Sequence, residues 1–259
     1  MQNTISQHSF VGSVTELTSM KFKDARRVHT SFSAGVERRT LVWLADRMPA
    51  WLNSDHLTAL GLISMAGAGL AYWAARWNKW ALVAAVACLA LNWLGDSLDG
   101  TLARVRQCQR PRYGFYVDHI CDIFAALFLL GGMAASGYMS PLVAAGLLIS
   151  YYILSAEVFL ATYTIGRFQL SFFKLGPTEL RIVLAVGNLF LLFKPICHVF
   201  GHTLRLFDIG GMVGALGMVG ITISTAIRNG SQLYREEPLP ERMRCEPGKI
   251  KSEPQRTQR

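Results

Sequence analysis

The sequence predicts an all-α membrane protein, a polytopic bundle of six transmembrane helices preceded by an amphipathic helix in the membrane interface. The chain has 259 residues, 51% of them hydrophobic, and its mean hydropathy is +0.28. Its apolar residues form runs of roughly 20 residues, the length that crosses a bilayer as a helix. Its net charge of +9 suits basic loops that face anionic lipid headgroups.

Composition also argues against other classes of protein. A basic chain can bind nucleic acid, but no nucleic-acid motif occurs, and we expect no such partner. The five cysteines include no C-x-x-C pair, so we expect free thiols rather than a disulfide framework or a metal site. The opening residues MQNTISQHSF lack the basic and apolar regions of a cleavable signal peptide.

The order of polar and apolar segments predicts three regions. Residues 1–52 form an N-terminal extension, flexible to about residue 30 and then helical over 31–52. Residues 53–233 form the membrane domain, and residues 234–259 form a basic, disordered tail. Apolar residues recur at helical spacing over 31–52, with arginines between them, as in an interfacial amphipathic helix. A soluble helix packed on the domain would show the same pattern, so both interpretations stay open.

The six predicted spans cover about 56–75, 79–104, 114–137, 140–165, 178–198 and 208–230. Thr178 follows Gly176 and Pro177 and predicts the start of the fifth span. The sixth is rich in glycine, which favours close helix packing within the chain or between subunits. Arginine and lysine concentrate in the loops after the second and fourth spans, so these loops and both termini are predicted to be cytoplasmic.

Four aspartates interrupt the second and third spans. An ionised carboxylate in hydrocarbon costs several kcal/mol, so acids within a span usually mark a functional site. Asp96 and Asp99 fall on one face of a helix, and Asp118 and Asp122 stack one turn apart on the next. Antiparallel packing then brings all four together. Four carboxylates without a thiolate suit Mg²⁺, Mn²⁺ or Ca²⁺ rather than zinc.

Small and basic residues accompany these acids. Gly100 and Ala103 leave room for a ligand against the helix backbone, and Arg104 can meet its phosphate. The loop that follows carries further arginines, which anchor it to the cytoplasmic side, form a basic wall at the phosphate site, or do both. These are Arg106, Arg110 and Arg112.

The spacing of the four aspartates is also compatible with two different roles. They could form buried ion pairs or sit at helix ends in water, or they could form a cation or proton relay in a transporter. Both roles stay open on the acids alone.

The pattern D-x-x-D-G-x-x-A-R, followed by G-x-x-x-D-x-x-x-D, resembles the signature of the CDP-alcohol phosphotransferase (CDP-alcohol phosphatidyltransferase) family. Nine residues separate its two halves here, slightly more than the family pattern has. The resemblance implies an integral membrane enzyme that transfers a substituted phosphate group from a CDP-linked donor to an acceptor hydroxyl and releases CMP. The matching residues are Asp96, Asp99, Gly100, Ala103, Arg104, Gly114, Asp118 and Asp122.

The resemblance also implies residue roles. Asp96, Asp99 and Asp118 would hold two Mg²⁺ or Mn²⁺ ions, and Asp122 would contact the second ion and act as the general base. Gly100 would contact the nucleotide, and Arg104 its phosphates.

A second, shorter part of the resemblance lies at the first span. Members of the family often carry P-N-x-x-T or P-D-x-x-T there, and this turn contacts the CDP moiety. The chain supplies Asp55 and Thr58, with Ser54 in place of the proline. Ordinary capping at a helix start accounts for the same residues.

The acceptor stays open. The leading hypothesis is CDP-diacylglycerol with a small polar alcohol, and the alternative is CDP-choline or CDP-ethanolamine with diacylglycerol. A transporter, the alternative of another class, would not need the glycine and arginine that follow Asp99. We expect a multi-pass protein of the bacterial inner membrane with its active site facing the cytoplasm, and the resemblance implies a homodimer.

Several further residues are secondary candidates. Glu157, in the fourth span, is predicted to face the bundle interior, for a structural hydrogen bond or for the acceptor. The resemblance places a group of charged residues near the acceptor pocket: Arg167, Lys174, Glu179 and Arg181. His198 and His202 are four apart in the predicted fifth span, where exposed histidines are a simpler interpretation than a metal pair.

Overall fold

The computed structural model describes residues 34–166, 177–193, 196–199 and 202–237. Within these residues the chain forms seven α-helices and one short antiparallel hairpin. The helices are α1 (Ala34–Arg47), α2 (Ser54–Ala74), α3 (Ala81–Val105), α4 (Pro111–Ser136), α5 (Pro141–Ile165), α6 (Pro177–Phe193) and α7 (Leu206–Glu236), and the hairpin strands are β1 (Ile196–Val199) and β2 (His202–Arg205).

Five of these helices, α2, α3, α4, α5 and α7, are long and apolar enough to cross a membrane. They contain 21 to 31 residues, about 32 to 46 Å of helix, against a hydrocarbon core of about 30 Å. Most of each apolar stretch is exposed, as expected where lipid rather than protein covers a surface. The prediction of a helical, multi-pass membrane protein is therefore confirmed.

The predicted fifth span is shorter than its apolar run indicates. We expected a helix over 178–198, but α6 ends at Phe193 after 17 residues, about 26 Å. Residues Ile196–Val199 form β1 instead. Pro195 accounts for the difference, because proline lacks an N–H donor and disfavours helix in the residue before it. His198 and His202 therefore belong to opposite strands of a hairpin and not to one helix face.

The last helix is longer than expected. We predicted a span to about residue 230 and a disordered tail from 234, but α7 continues to Glu236. The amide of Gln232 donates to Glu236 Oε1 at 2.8 Å, an interaction between residues four apart that supports the final turn. The rest of the predicted tail lies outside the described residues, as do the predicted flexible segment to about residue 30 and residues 31–33 of the predicted helix.

Helix α1 packs one face on the bundle. Leu41 and Ala45 are buried in a cluster with Leu57 of α2 and with Leu98 and Leu102 of α3. The segment predicted to be helical over 31–52 is thus helical over 34–47 in the described residues.

Arg106 joins the end of α3 to the turn after α1. Its guanidinium donates to three backbone carbonyls, those of Leu52 at 2.5 Å, Met48 at 3.0 Å and Pro49 at 2.8 Å. These carbonyls follow the C-terminal end of α1, where a cation is favourable. The sequence left open whether Arg106 anchors its loop, belongs to a basic wall at a phosphate site, or does both; these contacts give it a structural role.

Glycines let α2 approach both α3 and α4 closely. A Cβ atom on Gly95 of α3 would lie 2.6 Å from the carbonyl oxygen of Leu57 and 2.9 Å from the nitrogen of Gly61. A Cβ atom on Gly132 of α4 would collide with the backbone of Gly69. Helix α2 therefore lies between α3 and α4 at backbone contact, a packing mode that small residues permit in membranes.

The remaining helices complete the bundle. Helix α6 packs on α3, and the fully buried Asn188 donates to the Tyr72 hydroxyl of α2 at 2.7 Å. Helices α5 and α7 pack together, with Glu157 accepting from Asn229 at 2.7 Å. Gly211 and Gly214 of α7 contact side chains from the start of α5 and the turn before it, so part of the predicted glycine packing lies within the chain.

Adjacent glycines on α4 provide a matched test of this packing. Gly132→Ala forces a methyl group into the backbone of α2, whereas a Cβ atom on Gly131 meets nothing within 4 Å. We expect Gly132→Ala to lower the free energy of unfolding in detergent by about 1–3 kcal/mol, the usual cost of overpacking. Gly131→Ala should be neutral or stabilising, because alanine favours helix. Equal stability of the two variants would contradict the proposed contact.

Candidate active site

Three of the four predicted aspartates converge. Asp96 lies in the second half of α3, and Asp118 and Asp122 lie one turn apart in the first half of α4. One carboxylate oxygen from each of the three lies within 4.8 Å of the other two, and all three residues are half-buried. The helical spacing in the sequence predicted this convergence, and the contacts of α3 and α4 with α2 position it.

Asp99 lies on the wall of the same pocket but outside this group of three. Its Oδ2 accepts from the Thr58 hydroxyl of α2 at 2.7 Å, and its Oδ1 accepts from the backbone N–H of Gly100. The Ser54 hydroxyl donates to the Asp99 carbonyl at 3.1 Å. Thr58, predicted to contact a nucleotide, therefore orients an acid of the site.

The acids line a pocket that is partly open to solvent. Its walls come from α2, α3 and α4, and α6 reaches it through Arg181. The lining residues are Thr58, Gly61, Leu62, Asn92, Asp96, Asp99, Asp118, Cys121, Asp122 and Ala125.

Arg181 of α6 extends to the group of acids. Its Nη2 donates to Asp96 Oδ2 at 2.5 Å and its Nε donates to Asn92 Oδ1 at 2.8 Å. The Asn92 amide donates in turn to the Gly61 carbonyl at 3.0 Å. Arg181 was predicted only to lie near an acceptor pocket, and Asn92 was overlooked. The available signal was a polar residue four positions before Asp96, on the same face of an apolar helix.

An exposed ion pair lies beside the pocket, between the first turn of α2 and the start of α4. Arg110 Nη2 contacts Asp55 Oδ1 and Oδ2 at 2.5 and 2.6 Å, and its guanidinium stacks 4.1 Å from the centre of the Tyr113 ring. The hydrogen bond with Asp55 raises the pKa of Arg110 above its usual value. Two residues predicted to contact CDP are thus partners of each other.

Gly100, Ala103 and Arg104, the other residues predicted to contact the donor, lie near the end of α3. A Cβ atom on Gly100 would meet nothing within 4 Å, so the helix surface beside Asp99 is open. Ala103 is half-buried, and the exposed Arg104 donates to the Thr101 hydroxyl at 3.1 Å. Glu179 is half-buried in the first turn of α6. Arg167 and Lys174 lie outside the described residues.

A comparison with protein families matches residues 51–222 to the model of the CDP-alcohol phosphatidyltransferase family. The chain belongs to the CDP-alcohol phosphatidyltransferase family. This is a family of transferases of phospholipid biosynthesis, which confirms that the chain is an enzyme of this class. No curated protein sequence matches the chain.

Members of this family generally use a divalent metal ion, and the donor set here fits one. Carboxylate oxygens are the ligands that Mg²⁺ and Mn²⁺ prefer, and three of them lie within 4.8 Å of one another. Like charges at this separation repel strongly unless a cation joins them.

The contact between Thr58 and Asp99 gives a prediction for divalent-ion binding. Thr58→Val keeps the shape of the side chain but removes the donor to Asp99 Oδ2, whereas Thr58→Ser keeps a hydroxyl. The resemblance implies that Asp99 holds a divalent ion. Outer hydrogen-bond partners of metal ligands typically contribute 10–100-fold to affinity, so we expect Thr58→Val to weaken Mn²⁺ binding about tenfold and Thr58→Ser to retain most of it. Calorimetric titration of the detergent-purified protein measures both, and equal affinities for the two variants would contradict this role.

Proposed function

We propose that the protein transfers the phosphatidyl group of CDP-diacylglycerol to the hydroxyl of a small polar alcohol and releases CMP. The observation that carries the proposal is the convergence of Asp96, Asp118 and Asp122 within 4.8 Å in a chain of this family. Helices that are long enough to cross a membrane line their pocket. A lipid-linked donor and a water-soluble acceptor can meet at such a site.

Asp96, Asp99 and Asp118 would hold the cations in this proposal, which we infer to be two Mg²⁺ or Mn²⁺ ions. When bound, such ions offset negative charge on the pyrophosphate and on the departing CMP. Thr58 and Arg181 support this role, because they orient Asp99 and Asp96.

Asp122 is the proposed general base, and it would also hold the second ion. A base must lie within hydrogen-bond reach of the hydroxyl that it deprotonates. Asp122 lines the pocket one turn beyond Asp118 on α4, so an alcohol entering the pocket can reach its carboxylate.

The donor would lie along the open surface of α3. The space beside Gly100 and the small side chain of Ala103 accommodate the nucleotide, and Arg104 meets its phosphates. Arg110 contacts Asp55 through Nη2, and a guanidinium has five N–H donors. It can therefore contact Asp55 and a phosphate together.

The proposal includes an arrangement in the membrane. Helix α6 serves as a sixth, shorter span, and the arginines at the end of α3 and the start of α4 favour an active site on the cytoplasmic face. Residues 53–233 form the membrane domain of a bacterial inner-membrane protein, with the N-terminal region through residue 52 and the tail from 234 in the cytoplasm. Subunits pair as a homodimer.

The same arrangement places α1 in the interface. Trp43 has 55% of its surface exposed and stacks with Arg47, whose guanidinium lies 4.0 Å from the ring centre. An exposed tryptophan beside an arginine suits the headgroup region.

The experiment measures CMP release by the detergent-purified protein with CDP-diacylglycerol, Mg²⁺ or Mn²⁺, and a panel of alcohols. We expect release that depends on the metal and on one alcohol of the panel. Release only from CDP-choline or CDP-ethanolamine with diacylglycerol would replace the proposed donor. Metal binding without CMP release from any donor would contradict the proposal and favour a transporter.

Asp122→Asn tests the assignment of the base. It keeps the size of the side chain and removes the proton acceptor, so we expect turnover to fall at least ~100-fold while CDP-diacylglycerol still binds. Asp208→Asn is the matched control. Asp208 accepts a hydrogen bond from the N–H of Ser140, the residue before α5, and Asn can still accept it. Near-normal turnover in Asp122→Asn would remove the assignment.

A further inference from the structure

Asn92 is a buried amide in an apolar stretch of α3, with 6% of its surface exposed. Both ends of the amide are used. Nδ2 donates to the Gly61 carbonyl of α2 at 3.0 Å, and Oδ1 accepts from Arg181 Nε at 2.8 Å. A buried amide with a partner at both ends has a defined orientation. A flipped amide would place its NH₂ group against the Arg181 donor and its oxygen against the Gly61 carbonyl.

The bond to Asn92 restrains the guanidinium of Arg181. Arginine is planar, so fixing Nε in the plane also fixes the direction of the two terminal nitrogens. With Nε on Asn92, Nη2 reaches Asp96 Oδ2 at 2.5 Å. The side chains of Arg181 and Asp96 are 16% and 29% exposed, so water competes little for this contact.

The contact orients the Asp96 carboxylate, one oxygen of which lies within 4.8 Å of oxygens of Asp118 and Asp122. A carboxylate has two oxygens, and Arg181 takes Oδ2, which restricts rotation of the group about its last bond. We propose that Asn92 is a positioning residue that acts through Arg181 to hold the Asp96 carboxylate in the orientation that a divalent cation needs. The inference rests on the proposed function, because it concerns the cation site of that function.

The amide is the informative residue to change because it carries no charge. Removal of Arg181 would release the orientation of Asp96, which lowers cation affinity, and would also make the net charge of the site more negative, which raises it. Asn92→Leu keeps the volume of the side chain and the charge of Arg181, so it isolates orientation. Asn188→Leu is the matched control: Asn188 is fully buried on α6 seven residues after Arg181, and it donates to Tyr72 rather than to the site.

The experiment titrates Mn²⁺ into the detergent-purified full chain without nucleotide or alcohol, by calorimetry or electron paramagnetic resonance. Outer partners of metal ligands typically contribute 10–100-fold, so we expect Asn92→Leu to weaken binding at least tenfold and Asn188→Leu to leave it within twofold. Equal affinity of Asn92→Leu and wild type, or an equal loss in Asn188→Leu, would overturn the inference.

A second variant tests the route through Arg181 and serves if Asn92→Leu fails to fold. Arg181→Lys keeps the charge and the bond between Asn92 and Gly61 but loses the planar guanidinium, so we expect a similar tenfold loss. In the double variant the losses should not multiply, because both changes remove one connected interaction. Unchanged affinity in Arg181→Lys, or losses that multiply in the double variant, would overturn the route.

The outcome for the proposed function is separate. Loss of Mn²⁺ affinity in Asn92→Leu together with no CMP release from any donor would leave the inference standing and remove the function. Metal-dependent CMP release by the wild type, with normal Mn²⁺ affinity in Asn92→Leu, would support the function and overturn the inference. A wild-type chain that binds no Mn²⁺ would overturn both.

Discussion

The main constraint on the structure is the repulsion among three neighbouring carboxylates in helices that are long enough to cross a membrane. Asp96, Asp118 and Asp122 have oxygens within 4.8 Å of one another, and repulsion between like charges rises as the dielectric constant falls. Such a group persists only if cations or hydrogen-bond donors compensate it. Arg181 supplies part of this compensation by binding Asp96, and Thr58 and the Gly100 amide bind Asp99 on the wall of the same pocket.

Helix α2 provides the support for this arrangement although it contributes none of the four acids. Its backbone touches α3 at Gly95 and α4 at Gly132, and this contact sets the distance between the two acidic faces. It also supplies the Thr58 hydroxyl, which donates to Asp99, and the Gly61 carbonyl, which accepts from Asn92. Asn92 in turn accepts from Arg181, which binds Asp96. The glycines of α2, α3 and α4 thus determine the geometry of the pocket as well as the packing of the bundle.

The sequence was sufficient to predict the helical bundle and the convergence of the acids, because both follow from local periodicity. Spacings of three and four residues place acids on one helix face whatever surrounds them. The pairing of Arg181 with Asp96, across 85 positions, and of Thr58 with Asp99, across 41, depends on which helices become neighbours. No local pattern contains that information. The end of α6 at Phe193 was predictable in principle, since Pro195 follows it. The apolar residues on both sides of this proline led to the prediction of a longer helix.

The central claim is that these acids form a divalent-cation site. The most direct measurement is anomalous X-ray scattering at the manganese edge from crystals grown with Mn²⁺. The account predicts anomalous peaks for two Mn²⁺ ions among Asp96, Asp99, Asp118 and Asp122, with Arg181 still bound to Asp96. A well-ordered pocket with no anomalous peak, and with the acids neutralised by protein side chains alone, would contradict it.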